Sequence, residues 1–189
     1  SAFNNSRLFF LFRHPTQRVY SRFLSRIPRV PAFHNATPQM FHEYVVKGVQ
    51  LYKDCFKRAS IRECAYDETI YDDAVIRINE GLYSVYVEDW LRIFSRDQIY
   101  VIRNEDYSEN VEGTMICAFV WLGMAPLTDA QLKPIVEHVS VNTGANYEVV
   151  GPMLNETIKI LNEFYAPFNA RLAELLEDER FYWDDIVVS

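Results

Sequence analysis

Before Glu43 the chain contains no aspartate or glutamate, while Arg7, Arg13, Arg18, Arg22, Arg26 and Arg29 all fall in that opening segment. The positive field is local, because the formal net charge of the whole is -7. That total argues against a general polyanion binder. With no basic-aromatic interleaving beyond the first segment, no nucleic-acid partner is expected. No apolar run approaches the roughly 20 residues needed to span a bilayer, and no charged, apolar and small-residue succession marks a signal peptide, so these residues read as soluble. No His/Cys/carboxylate group has ligand spacing, and no metal is expected. Glu174, Glu177, Asp178, Glu179, Asp184 and Asp185 read as a solvated face and tail. Repeats, low-complexity tracts and linkers are absent. What remains is 189 residues with 49% hydrophobic and 15% aromatic content, enough for one domain over 1–189 with a substantial core.

Cysteine is scarce too. Cys55 and Cys64 bracket a short polar segment and read as a disulfide, with Cys117, in an apolar helical pattern, as a buried thiol. Asn4-Asn5-Ser6, Asn35-Ala36-Thr37 and Asn155-Glu156-Thr157 are formal N-glycosylation acceptors. Together these tilt the expected compartment toward the secretory pathway.

The stretch that organises the chain is Leu8 to Phe23. An apolar run of strand formers stops at Arg13, a proline follows, and an arginine-rich amphipathic segment begins. This predicts a buried strand, a tight turn and a helix. Unpaired N–H groups at such a helix start favour an anion. Arg13 at the strand end, with Arg18 and Ser21 on one helix face, has the chemistry to fork a phosphate. Read without function, the arginines are solvated helix residues and Ser21 an ordinary helix serine.

Further along, Ile27 to Pro38 reads as an exposed connection, and Thr37-Pro38 as a helix start leading into Met40 to Leu51. Tyr52 to Asp73 is expected to be loop-rich. Leu82 to Phe94 carries a helical stripe, entered at Gly81. Ile99 to Arg103 reads as a short buried strand, followed by an acidic turn and a helix stopped at Gly123. Strand, helix, strand, helix implies a parallel sheet. Thr128 caps a helix toward Val136, interrupted near Pro134, and His138 to Gly151 reads as a polar loop. Two helices, Glu156 to Tyr165 and Phe168 to Leu176, precede Phe181-Tyr182-Trp183, which docks the tail.

The spacing Arg13, Pro15, Arg18, Ser21 resembles the R-x-P-x-x-R-x-x-S element with which Golgi carbohydrate sulfotransferases bind the 3′-phosphate of 3′-phosphoadenosine 5′-phosphosulfate (PAPS). Gly81 to Leu91 resembles that family's G-x-Y-x-x-x-[LIV]-x-x-W-L helix. Phe164-Tyr165-Ala166-Pro167-Phe168-Asn169 and Phe181-Tyr182-Trp183 resemble its F-Y-x-P-F-N and F-x-W signatures, in the right order. With the cysteine pair, the chain looks similar to the N-acetylgalactosamine 4-sulfate 6-O-sulfotransferase branch. The resemblance implies an α/β, P-loop-like three-layer fold with a central parallel sheet flanked by helices. It implies PAPS as donor, with PAP as product, and a sulfated glycosaminoglycan as acceptor. It also implies a Golgi-lumenal location, with membrane attachment only through a segment outside this chain. Carried over residue by residue, Arg13 and Ser21 hold the 3′-phosphate, Arg18 is a supporting charge, and Tyr83 is a donor-site neighbour. Tyr83, Trp90, Phe164 and Phe168 otherwise read as core.

The pattern departs from the family's in three places. His14 stands where many members have Asp or Asn; it is the one candidate acid/base, against the reading that a histidine beside a turn proline is structural. Nothing resembles the lysine loop that cradles the 5′-phosphosulfate, so the chain looks like a carboxyl-terminal part, incomplete at its amino end. Asn142, Thr143 and Gly144 lie in a loop where relatives place a cation, leaving backbone N–H groups as the anion contact. Glu105 and Asp106, at a strand's carboxyl end, read as a structural pair. The alternative to an enzyme is a non-catalytic module that binds PAP or sulfated glycan; a second rival is another nucleotide-binding enzyme.

Overall fold

The computed structural model describes residues 6–137 and 145–184, apart from the side chains of 145 and 146. In chain order the elements are β1 (Leu8–Phe12), α1 (Pro15–Arg26), α2 (Pro38–Phe56), α3 (Ile61–Ala65), α4 (Glu68–Asp73), α5 (Tyr83–Leu91) and β2 (Ile99–Arg103). They continue with α6 (Asn104–Glu109), α7 (Val111–Trp121), α8 (Asp129–Val136), α9 (Ala145–Val150) and α10 (Asn155–Leu176). The fold is α/β, mostly helical, with one parallel strand pair among the described residues. Contacts group the chain into two units, Ser1–His14 with Trp90–Thr143 and Pro15–Asp89 with Gly144–Ser189. Helix α5 runs across that division.

In the first unit β1 and β2 pair in parallel, Leu8 opposite Ile99 and Phe12 opposite Arg103. Parallel strands need a long crossover, supplied here by the residues from α1 to α5. Gln98 Nε2 donates to the Ser6 carbonyl at 2.9 Å and pins the start of the pair. The strand expected to be buried is not. Phe9 and Leu11 expose 43% and 47% of their surface, because two strands leave alternate side chains of β1 uncovered. Arg103, by contrast, is buried and paired with Asp106 at 2.5 Å. Helix α7 is apolar without a break from Met115 to Trp121, and only Ala118 in it is buried. Such a helix carries no periodic signal for an inner face. Cys117 is accordingly exposed, not the buried thiol expected. Trp90, expected in the core, is 39% exposed and stacks on Phe94 and Phe10.

The second unit holds the main core. Tyr20, Phe23, Phe33 and Phe41 meet with ring centroids 4.8 to 5.0 Å apart, joining α1 to α2. Phe56, Phe164 and Phe168 join α2 to α10. Thr37 caps α2 as expected, its hydroxyl accepting from the Met40 N–H. The Cys55–Cys64 disulfide ties the end of α2 to α3. The loop expected between Tyr52 and Asp73 is instead the last turn of α2 followed by two short capped helices. Ser60 and Glu63 form a reciprocal capping box on α3, and Asp67 caps α4. Ala145–Val150, expected within a polar loop, is helix α9. The two carboxyl-terminal helices expected are one, α10, which continues through Pro167. Its buried stripe of Leu161, Phe164, Phe168, Leu172 and Leu176 runs on both sides of the proline, and that packing outweighs the missing backbone donor. Phe181 and Trp183 are buried, docking the tail.

Candidate functional site

Arg13 follows β1 and belongs, with His14, to the first unit; Arg18 and Ser21 belong to the second. Arg13 is half-buried and His14 buried. The backbone N–H of His14 donates to Glu105 Oε1 at 2.8 Å. This turn amide was expected to face a ligand; the protein's own carboxylate, from the first turn of α6, takes it instead. Asp106 is spent on Arg103. The structural reading of that acidic pair therefore holds, through these two bonds.

Pro15 opens α1, where a missing N–H costs nothing. The Thr16 hydroxyl, fully buried, donates to Asn162 Oδ1 of α10 at 2.7 Å, and the Tyr20 hydroxyl donates to the Gly151 carbonyl at 2.5 Å. Burial, with Tyr147 alongside, pushes the Tyr20 phenol up to about 12. These bonds fix the buried face of α1 and leave Ser21 and Arg22 exposed on the other. Arg18, expected as a supporting charge, is bonded within the protein. Its Nη1 donates to Glu80 Oε2 and its Nη2 to the Arg77 carbonyl, both at 2.6 Å. Burial opposes the charge of this guanidinium, yet Tyr165, Tyr83 and Glu80 around it raise its pKa on balance.

The second unit brings the recognised motifs to one place. The Tyr165 hydroxyl, in the F-Y-x-P-F-N segment, donates to the Ile78 carbonyl at 2.8 Å. A Cβ on Gly81 would lie 2.7 Å from the Tyr165 ring, so the glycine of G-x-Y is required by that close approach. Tyr83 is buried and packs at a tilt against Trp183 of the F-x-W segment, centroids 6.2 Å apart. Phe164 and Phe168 are core, as expected. Arg18 and Tyr165 thus hold the segment from Arg77 to Leu82, and Trp183 packs on Tyr83 just after it.

Sequence reasoning missed Glu80, whose partner lies 62 residues away, and could not name the partner of Glu105, 91 residues away. No local spacing signals such pairs. Asn142, Thr143 and Gly144 lie outside the described residues. A hollow of about 230 Å³ in the first unit is lined by Glu112, Asp129, Glu137 and Lys133. Three carboxylates against one lysine make it a poor seat for an anionic ligand. Among the described residues no group of His, Cys, Asp or Glu is placed to hold a metal, and no helix is long and apolar enough to cross a membrane.

No protein-family model matches the chain. It is 38% identical over 179 residues to carbohydrate sulfotransferase 15 of Mus musculus, a match spanning 94% of this chain and 31% of that protein. The Homo sapiens protein of the same name is 38% identical over 180 residues, again 31% of its length. The chain therefore spans about a third of the mammalian relatives it matches. Carbohydrate sulfotransferase 15 of Nototodarus sloanii is 30% identical over 135 residues, which is 85% of that protein and 71% of this chain. With these relatives and the motifs gathered around residues 77–82, the chain belongs to the carbohydrate sulfotransferase family.

Proposed function

We propose that this chain is the donor-binding part of a carbohydrate O-sulfotransferase that uses PAPS to sulfate a sugar hydroxyl of a glycosaminoglycan-type glycan in the Golgi lumen. The observation that carries the reading is the strand, turn and helix from Leu8 to Arg26, with Arg13 in the turn and Ser21 exposed on α1. Arg13 supplies the charge for the 3′-phosphate, and Ser21 a hydroxyl donor. The residues present fit an anion: a cationic side chain in the turn and an exposed hydroxyl on a pinned helix. When bound, PAPS supplies an activated sulfuryl group. The chain's own contribution is to bind and orient the nucleotide end, which lowers the entropic part of the barrier. Asn142, Thr143 and Gly144 supply backbone N–H contacts in this reading.

Tyr83 is assigned to the core of the donor region, not to contact, given its burial against Trp183. His14 keeps its place as the candidate acid/base. Its burial argues for a structural role, so His14→Ala is a control in the test. That test incubates the chain with PAPS and chondroitin sulfate and reads new sulfate by disaccharide analysis. Sulfated product that falls roughly 10- to 100-fold in Arg13→Ala and in Ser21→Ala is expected, the size of a lost charge-assisted hydrogen bond. A chain that binds PAP but makes no product would instead be a binding module.

A further inference from the structure

We propose that Glu80 is a positioning residue for donor binding. It holds Arg18 as a latch that fixes α1, and Arg18 does not itself contact the donor. The proposal rests on the donor reading above, in which Ser21 on α1 meets the 3′-phosphate.

The observation is how the Arg18 fork is used. One amino group is on Glu80 and the other on the Arg77 carbonyl, each at 2.6 Å, so both ends of the fork grip the segment ahead of α5. The remaining nitrogen, Nε, is buried without a hydrogen-bond partner. The same segment is held from α10 by the Tyr165 hydroxyl on the Ile78 carbonyl, and Gly81 admits the Tyr165 ring only because it has no Cβ. Asn79 adds a bond to the Ala65 carbonyl. Arg77 in turn donates to the Tyr71 carbonyl at 2.6 Å and lies over the Tyr71 ring. Helix α1 is therefore fastened at four points round its axis: Thr16 to α10, Arg18 to residues 77–80, Tyr20 to Gly151 and Arg26 to the Val75 carbonyl.

A part-buried ion pair with one unsatisfied donor is a poor way to gain stability, since apolar packing of the same volume does as well or better. Its geometric effect is different. A planar fork bonded at both ends sets the rotation of α1 about its axis, and with it the direction in which Ser21 faces. Both amino groups of Arg18 are already bonded within the protein, and Glu80, its counter-charge, repels a phosphate.

The two roles predict opposite signs for one substitution. If Arg18 lent its charge to the phosphate, Glu80→Gln would remove a competing carboxylate and tighten binding. If Glu80 holds a latch, Glu80→Gln weakens it. Likewise Arg18→Lys keeps the charge but cannot bond both partners in the fixed geometry, so a ligand role is largely rescued by lysine and a latch is not.

The experiment measures PAP and adenosine 5′-phosphate affinities by calorimetry for wild type, Glu80→Gln, Arg18→Lys and the double variant. Hydrogen exchange of the α1 and 77–82 amides is followed without ligand. Expected are a roughly tenfold loss of PAP affinity in each single variant, less than about twofold change for adenosine 5′-phosphate, and a double variant no worse than either single, because the two groups act as one unit. Faster exchange in both segments accompanies it. Tighter PAP binding by Glu80→Gln, or full PAP affinity in Arg18→Lys, overturns the proposal. If the wild-type chain binds no PAP, the donor reading fails on its own. The latch is then decided by exchange, and unchanged protection of α1 in Glu80→Gln and Arg18→Lys overturns it.

Discussion

The two units of this chain are built on different terms. In the second, aromatic rings from α1, α2 and α10 interlock, and nearly every polar group of α1 that enters the interior has a named partner. In the first, a two-stranded pair carries exposed phenylalanine and leucine, and an apolar helix buries one alanine. The difference separates what a family signature encodes. Two of the four recognised motifs lie wholly in the second unit, and most of the other two lies there as well. Arg13, His14, Trp90 and Leu91 belong to the other. A signature of this kind records packing and positioning as much as chemistry.

The contrast is tested most strongly by truncating one apolar side chain in each unit. Leu161→Ala, in the fully buried stripe of α10, is expected to cost about 2 to 5 kcal/mol by transfer and cavity effects. Val120→Ala, at a site 61% exposed, is expected to stay within about 0.5 kcal/mol. Denaturant unfolding of both variants checks this, and equal losses would dissolve the distinction between the units.

A smaller effect sharpens the claim about the motif junction. Gly81→Ala places a methyl 2.7 Å from the Tyr165 ring, and overpacking of this kind costs about 1 to 3 kcal/mol. Pairing it with Tyr165→Leu, which removes the ring, is expected to restore part of the loss. Strictly additive losses in the pair would show that the ring is not the obstacle.

The gentlest probe is alkali. Tyr20 is held as the neutral phenol, by burial first and Tyr147 second, up to about 12 in the folded chain against about 10 unfolded. A group whose folded pKa is raised adds stability that is full below the unfolded value and disappears as pH climbs through the folded one. Tyr86, with its pKa also raised to about 12 chiefly by burial, acts in the same window, and both lie in the second unit. Stability is therefore expected to hold to about pH 10 and to fall between there and about 12, followed by thermal melts across that range. Melting that is independent of pH over those two units would contradict it.

Much of the fold was legible because its signals are local. The apolar run of β1, Pro15 at a helix start, the Thr37-Pro38 cap and the strand at Ile99 each lie within a few residues of what defines them. Where reading went astray, a local rule met a long-range term. Pro167 reads as a break, but the buried stripe on either side keeps α10 whole. Helix α7 is apolar without a break from Met115 to Trp121, so its sequence could not say that Cys117 faces outward. The capping box of Ser60 and Glu63 was there to be read and marks α3 plainly. At the candidate site, helical spacing placed Arg18 correctly on α1 but could not name its partners, because Glu80 and the Arg77 carbonyl are set by tertiary structure. Arg13 and Ser21 are the opposite case: the roles proposed for them come from the motif alone.

The most direct test of the account is calorimetric titration of the chain with PAP, with adenosine 5′-phosphate as control, in wild type and Arg13→Ala. The account predicts PAP binding that adenosine 5′-phosphate does not match, and a loss of roughly 10- to 100-fold on removing Arg13. Equal affinity for the two nucleotides, or PAP binding untouched in Arg13→Ala, would contradict it.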